Sequence, residues 1–326
     1  MYKNFHQYLL AGVNRANADN QVIAQNLADL LQQSKSNIYK KLRGEVPFTG
    51  EEILLIAAHY QISLDQFLQQ NVSTTNKLQF EYSTSVDHAH TPISFLQKIR
   101  LDLERVSSIP GIQLCYATNE IPIFHYMSCR NLLAFKLFIW ARTNWGLADV
   151  LGNSFNTDEF YAQWPGLEEH RLAILDLYKK IPTKEYWPKF VTSHIYNQIR
   201  YYVDGRFFIH PEMPELLKSE LKDMLDELSN LAALGVKDYG PNAASFSLYL
   251  NEIAFANNLI IIYQHQQPIA VYITLDNPNY LSSNNPAFCL KMHQWLQRIE
   301  EYSFLAKNEQ HRIKLFRELK TRIEEA

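Results

Sequence analysis

Over the first 70 positions, apolar residues recur at three- and four-residue spacing, the period of helices with one buried face. Phe5, Tyr8, Leu9 and Val13 predict a helix over 2–16, and Ile23, Leu27, Leu30 and Leu31 a second. Ala28 on that face is small enough for another helix to cross closely. Gln32 and Gln33 fill a tight turn, and Ser34 is a good N-cap, because its hydroxyl can accept from a backbone N–H two or three residues on. Ile38 and Leu42 then point a short helix inward at i, i+4. Thr49-Gly50-Glu51-Glu52 and Ser63-Leu64-Asp65-Gln66 read as capping boxes, opening helices that run to His59 and Gln69. Five helices complete a small domain over 1–70. Residues 71–77 are polar without periodicity and read as a linker.

Residues 78–326 alternate helical and strand patterns. Leu78 to Tyr82 reads as a strand; Thr91 caps and Pro92 opens a helix to Ser107. Ile112–Ala117 and Ile121–Met127 are short strand candidates. Asn131–Trp145 is apolar nearly all round, which predicts a buried central helix, and 158–163, 166–180, 184–203 and 214–234 also read as helices. A three-strand meander is expected over 246–255, 258–264 and 269–275, followed by helices 286–302 and 305–324. The fold class is thus mainly α, with a mixed α/β C-terminal domain.

The outward positions of the short helix change the picture. Lys35, Ser36, Asn37, Tyr39, Lys40 and Lys41 are left facing out, with Arg43 just behind and no acidic residue among them. Short polar groups at a helix N-terminus, with cations behind, suit the DNA major groove: the former read base edges and the latter hold phosphates. Residues 23–44 resemble the helix-turn-helix of the Cro/repressor-type transcription regulators. The likeness continues through Gly44-Glu45-Val46-Pro47, Glu52–Ala58 and Ile62–Phe67, and covers residues 5–69. It implies a five-helix, lambda-repressor-like DNA-binding domain whose recognition helix, 35–42, carries those seven residues to double-stranded DNA. The sequence departs from the family where Gln32 and Gln33 replace the turn's usual Gly and apolar residue, and where Ala24 replaces a Gln that often opens the first helix of the motif. A second stretch, Cys115–Tyr126 running into Leu133–Trp140, is similar to C-terminal regions of uncharacterised helix-turn-helix regulators of Bacteroidetes-type bacteria. That likeness implies a dedicated regulator architecture and supplies no ligand.

Charge limits what one such domain achieves. The chain carries a net charge of −3, so no global basic field attracts nucleic acid. Residues 1–76 hold as many acids as bases, with Lys35, Lys40, Lys41 and Arg43 forming the one basic cluster. Useful affinity then needs two heads, hence a homodimer on a two-fold site. In the last helix Phe316, Leu319 and Ile323 form an apolar stripe flanked by charges, which fits either an isologous helix pair or packing on its own domain.

Other chemistry is sparse. Cys115, Cys129 and Cys289 are odd in number and far apart, and with no signal peptide or membrane-length apolar run they read as reduced thiols of a cytoplasmic protein without a membrane partner. Asp87-His88-Ala89-His90 has metal-site spacing but no third ligand in reach, so a solvated loop is the simpler reading. His125 and Cys129 are split by an expected break, and His194, His210 and His293 stand alone. No phosphate loop, nucleophile elbow or Cys–His pair is present, so no catalytic residue, metal or cofactor is expected and the chain does not read as an enzyme. Tyr116, Phe124, Tyr126, Trp140, Trp145, Tyr201, Tyr202, Phe207, Phe208, Tyr263 and Tyr272 either fill a core or partly line a pocket for a small-molecule effector. The resulting expectation is a sequence-specific DNA-binding regulator whose residues 78–326 dimerise and sense a signal. Its rivals are a helix-turn-helix protein-interaction module and a phage-defence effector with an activity in the large domain.

Overall fold

The computed structural model describes residues 4–16, 20–60, 62–64, 67, 78, 80–82, 91–251 and 257–324. They form two compact units that divide after Gln79. The linker 71–77, the Asp87–His90 segment and most of the expected fifth helix lie outside the described residues.

The first unit contains α1 (Phe5–Ala16), α2 (Asn20–Leu31), α3 (Lys35–Leu42) and α4 (Gly50–His59). Its core gathers the apolar faces of all four, with Leu9, Val13, Ile23, Leu27, Ile38 and Ile56 almost wholly buried. Thr49 closes both bonds of its capping box with Glu52, as the local pattern predicts. Past α3 the chain turns through Gly44, whose φ of +74° is the left-handed conformation that suits glycine after a helix end.

The second unit is built on one eight-stranded sheet. In chain order it comprises β1 (Glu81–Tyr82), α5 (Pro92–Ser107), β2 (Ile112–Ala117), α6 (Ile123–Tyr126), α7 (Arg130–Thr143), α8 (Ala148–Leu151), α9 (Thr157–Gln163), α10 (Leu167–Lys179), β3 (Thr183–Trp187), α11 (Ser193–Asp204), α12 (Met213–Leu234), β4 (Phe246–Asn251), β5 (Leu259–Gln264), β6 (Gln267–Asp276), β7 (Asn279–Ser283), α13 (Pro286–Glu301), β8 (Ser303–Leu305) and α14 (Glu309–Glu324). The strand order is β1-β7-β6-β5-β2-β3-β4-β8. β2, β3 and β4 run parallel and the other pairings are antiparallel. One sheet face carries the large core under α5, α7, α10 and α12, while the other is covered by α13 through Phe288, Cys289 and Leu296. The central helix is α7, whose residues 132–141 are all buried.

Three expectations are corrected. Residues 121–127 contain a helical turn, α6, rather than a strand: Pro122 precedes it and the His125 N–H donates back to the Pro122 carbonyl. Short apolar runs do not distinguish a strand from a buried helical turn. The expected helix 184–203 is a strand followed, after Pro188, by α11. In that strand Thr183, Glu185 and Trp187 are buried, and the charge on Glu185 hides an inward position. The meander does not form, because β4 pairs with β3 and β8 while only β5, β6 and the unexpected β7 continue as antiparallel neighbours. Finally, of the two expectations for the terminal stripe, Phe316, Leu319 and Ile323 are buried in their own unit's core, where α14 lies along α12. They are not available to a second copy.

Among the described residues, no helix is long and apolar enough to cross a membrane.

Candidate nucleic-acid interface

The outer face of α3 is set by what its inner face does. Ile38 is fully buried among the α1, α2 and α4 side chains, which fixes the helix about its axis. Ser34 adopts an extended backbone, and its hydroxyl accepts from the Asn37 N–H at 3.3 Å. This cap fixes where the helix begins and so which residues stand at its N-terminal end. Lys35, Ser36, Lys40 and Arg43 are exposed, and Asn37 and Tyr39 half-buried. Tyr39 also packs on the core beneath.

Lys41 must be removed from the outward set. It lies three residues after Ile38 on the inner arc, and its ammonium reaches the Glu52 carboxylate at 2.8 Å and the Pro47 carbonyl at 3.1 Å. The side chains are only 4% and 10% exposed, so this cation holds α3 to α4 and is closed to a phosphate. Burial works against a charged Glu52, but Lys41, the Thr49 N–H and Gln33 outweigh it and hold its carboxyl below the ordinary carboxylate range. Arg43 is outward but paired: its guanidinium meets both Glu45 oxygens, at 2.6 and 3.1 Å, on an exposed surface. The basic cluster thus reduces to Lys35 and Lys40, with Arg43 shared with Glu45.

Both glutamines of the turn between α2 and α3 have a structural part. Gln32 has a φ of +52°, so the left-handed residue of the turn is carried here without glycine. Gln33 is half-buried, and its amide links the two helices by donating to Glu52 and accepting from Asn37 Nδ2 at 2.9 Å. Asn37, expected to read bases, is thereby tied to the turn. The capping-box role of Glu52 is legible in the sequence, while its bridge to Gln33 and Lys41 is not; the available signal is a polar residue in the turn ahead of that acid.

The large unit brings polar side chains together that the sequence left apart. Glu185 is fully buried and accepts from Tyr178 at 2.5 Å and Trp187 Nε1 at 2.9 Å, while His125 Nε2 lies 2.9 Å from both its oxygens. Burial opposes its charge, yet His125, Lys237 and Tyr178 keep its pKa below the ordinary value. On the opposite sheet face Glu300 accepts from Lys184 at 3.0 Å, from Tyr249 at 3.1 Å and from Tyr186. These donors fill its oxygens and tie α13 to β3 and β4. Burial pushes the Cys115 thiol up to about 12 and the Cys129 thiol to about 11, away from the thiolate that a nucleophile needs. Among the described residues, no group of three or more His, Cys, Asp or Glu side chains is placed to hold a metal ion.

The aromatic residues divide. Tyr202, Phe207 and Phe208 pack with Phe135 and Phe155 in the core, Tyr126 is fully buried, and Tyr201 is exposed. Tyr116, Phe124, Trp140 and Tyr272 line a cavity. No family model matches this chain, and neither does any curated protein or solved structure.

Proposed function

We propose that the chain is a sequence-specific double-stranded DNA-binding regulator that lays α3 in the major groove. The observation that carries this reading is the outer face of α3: a capped N-terminus presents Lys35 and Ser36, Lys40 follows one turn later, and no acidic side chain lies within the helix. Ser36 suits a base edge, while Lys35 and Lys40 suit the flanking phosphates. Two cations per head give few phosphate contacts, so the reading requires two heads on half-sites one DNA turn apart. The large unit then serves dimerisation and signal sensing.

A second reading, a head that binds protein, is favoured by one observation. Leu54 and Leu55, adjacent on α4, are 61% and 50% exposed. The same pair would serve equally as the contact between two heads.

Selection of duplexes from a random pool by the full-length chain separates the readings. A regulator enriches a motif with two-fold symmetry. A protein-binding head enriches none.

A further inference from the structure

Three adjacent strands of the large unit place Tyr116, Ile260 and Tyr272 in one row across the sheet, each opposite the next in register. All three face the large core, and all three keep accessible surface, whereas Leu114 and Ile262 on the same strands are sealed. Inward residues on central strands stay accessible only if the space above them is not filled. The gap arises because α5 packs chiefly on α10, leaving Ile99 and Phe95 across a cavity of about 140 Å³ from that row.

The wall of the cavity includes a buried ion pair. Lys136 of α7 is 2% exposed and donates to Glu120 at 2.7 Å, with its ammonium 5.0 Å from the centre of the Trp140 ring. Glu120 is the one acceptor described for this ammonium, which has three N–H bonds to give. The pair and Trp140 also line a more polar cleft with Thr143, Gln198 and Asn258, so the ion pair belongs to the walls of both spaces. A buried pair of this kind is seldom the most stable filling of its volume. Its place at a cavity wall, with donors left over, gives it a use.

We infer that this cavity binds a small, uncharged, flat molecule, about one aromatic ring in size, with a hydrogen-bond acceptor that takes a remaining N–H of Lys136. The size follows from the volume, close to that of an engineered cavity known to hold benzene. The flat shape follows from Tyr116, Phe124, Trp140 and Tyr272, whose rings favour edge and face contacts. Neutrality follows from the pair: an anionic head would meet Glu120, and a cationic one would meet Lys136. This inference stands independently of DNA binding.

Acetophenone, benzoate and ethylbenzene, titrated into the full-length chain and followed by ligand-observed NMR, test it. Acetophenone should bind at least about tenfold more tightly than either of the others, the fold-change expected for one charge-assisted hydrogen bond or one unpaired charge. Replacing the pair together, Lys136→Met with Glu120→Gln, should erase the preference for acetophenone over ethylbenzene while both still bind. Ile260→Trp should fill the cavity and abolish binding of both, and Ile99→Phe does the same from the helix side if the first variant does not fold. Failure of the chain to bind acetophenone, or unchanged binding in a folded cavity-filling variant, overturns the inference. Equal binding of benzoate overturns the assigned role of the pair.

Discussion

The Lys41 ammonium lies 2.8 Å from the Glu52 carboxylate, with both side chains almost wholly buried, between the helix proposed to read DNA and the helix that supports it. Glu52 also accepts from the Thr49 N–H at 2.7 Å and from Gln33, so one carboxylate caps α4, anchors α3 and steadies the turn. Removing one partner of such a pair strands a buried charge. Lys41→Met should therefore destabilise the first unit by about 3–5 kcal/mol. Glu52→Gln added to it should restore most of that loss, because the amide oxygen still accepts from Thr49. Amide hydrogen exchange in α3 and α4 of the full-length chain measures both effects; a single variant as protected as wild type would refute the structural role.

The same carboxylate makes the unit sensitive to acid. The folded state holds the Glu52 pKa below its ordinary value, so the stabilisation is complete above that value, about 4.3 for a free glutamate, and is lost as pH falls through the folded pKa. Protection of α3 and α4 should fall as the pH is taken below about 4.3 in the wild-type chain. Glu52→Gln should flatten this dependence. An identical decline in both would place the acid response elsewhere.

Ser36 is exposed beside the capped start of α3, and among the described residues its hydroxyl has no side-chain bond to lose. Ser36→Ala should cost about 1–3 kcal/mol of discrimination on a selected duplex and leave binding to random DNA unchanged. Competition titrations against both duplexes read this directly. An equal loss on both would mean that Ser36 does not read bases.

Leu319 is fully buried where α14 packs on α12, beside the Lys320–Asp226 contact at 2.5 Å. Leu319→Ala should destabilise the large unit by about 2–5 kcal/mol, as a truncation in a packed core does. Sedimentation of this variant should match that of the wild-type chain. A change in oligomeric state at native stability would return the stripe to an interface between copies.

The features legible in the sequence were those fixed by neighbours in the chain. Thr49 and Glu52, and Thr91 with Pro92, announce helix starts because their bonds close within three residues. α7 is legible because burial on every side leaves an unbroken apolar run. β3 was not, because Glu185 is tolerated inside through His125, Tyr178 and Trp187, whose convergence depends on the finished fold. The strand order was hidden for a similar reason: β4 prefers β3, distant in sequence, to the strand that follows it. At the proposed interface, Lys35, Ser36 and Lys40 could be placed from helical spacing alone. Lys41 could not, since a long side chain on the boundary of the inner arc is free to turn either way until Glu52 supplies a partner.

The most direct test of the account is the salt dependence of binding to a selected duplex, compared between two changes one residue apart on α3. Each phosphate contact contributes close to one unit to the slope of log affinity against log salt. Lys40→Ala should lower that slope by about one. Lys41→Met with Glu52→Gln, which removes a cation of equal charge from the inner face, should leave it unchanged. A slope that falls with the Lys41 change and not with the Lys40 change would contradict the assignment of the outer face of α3 to DNA.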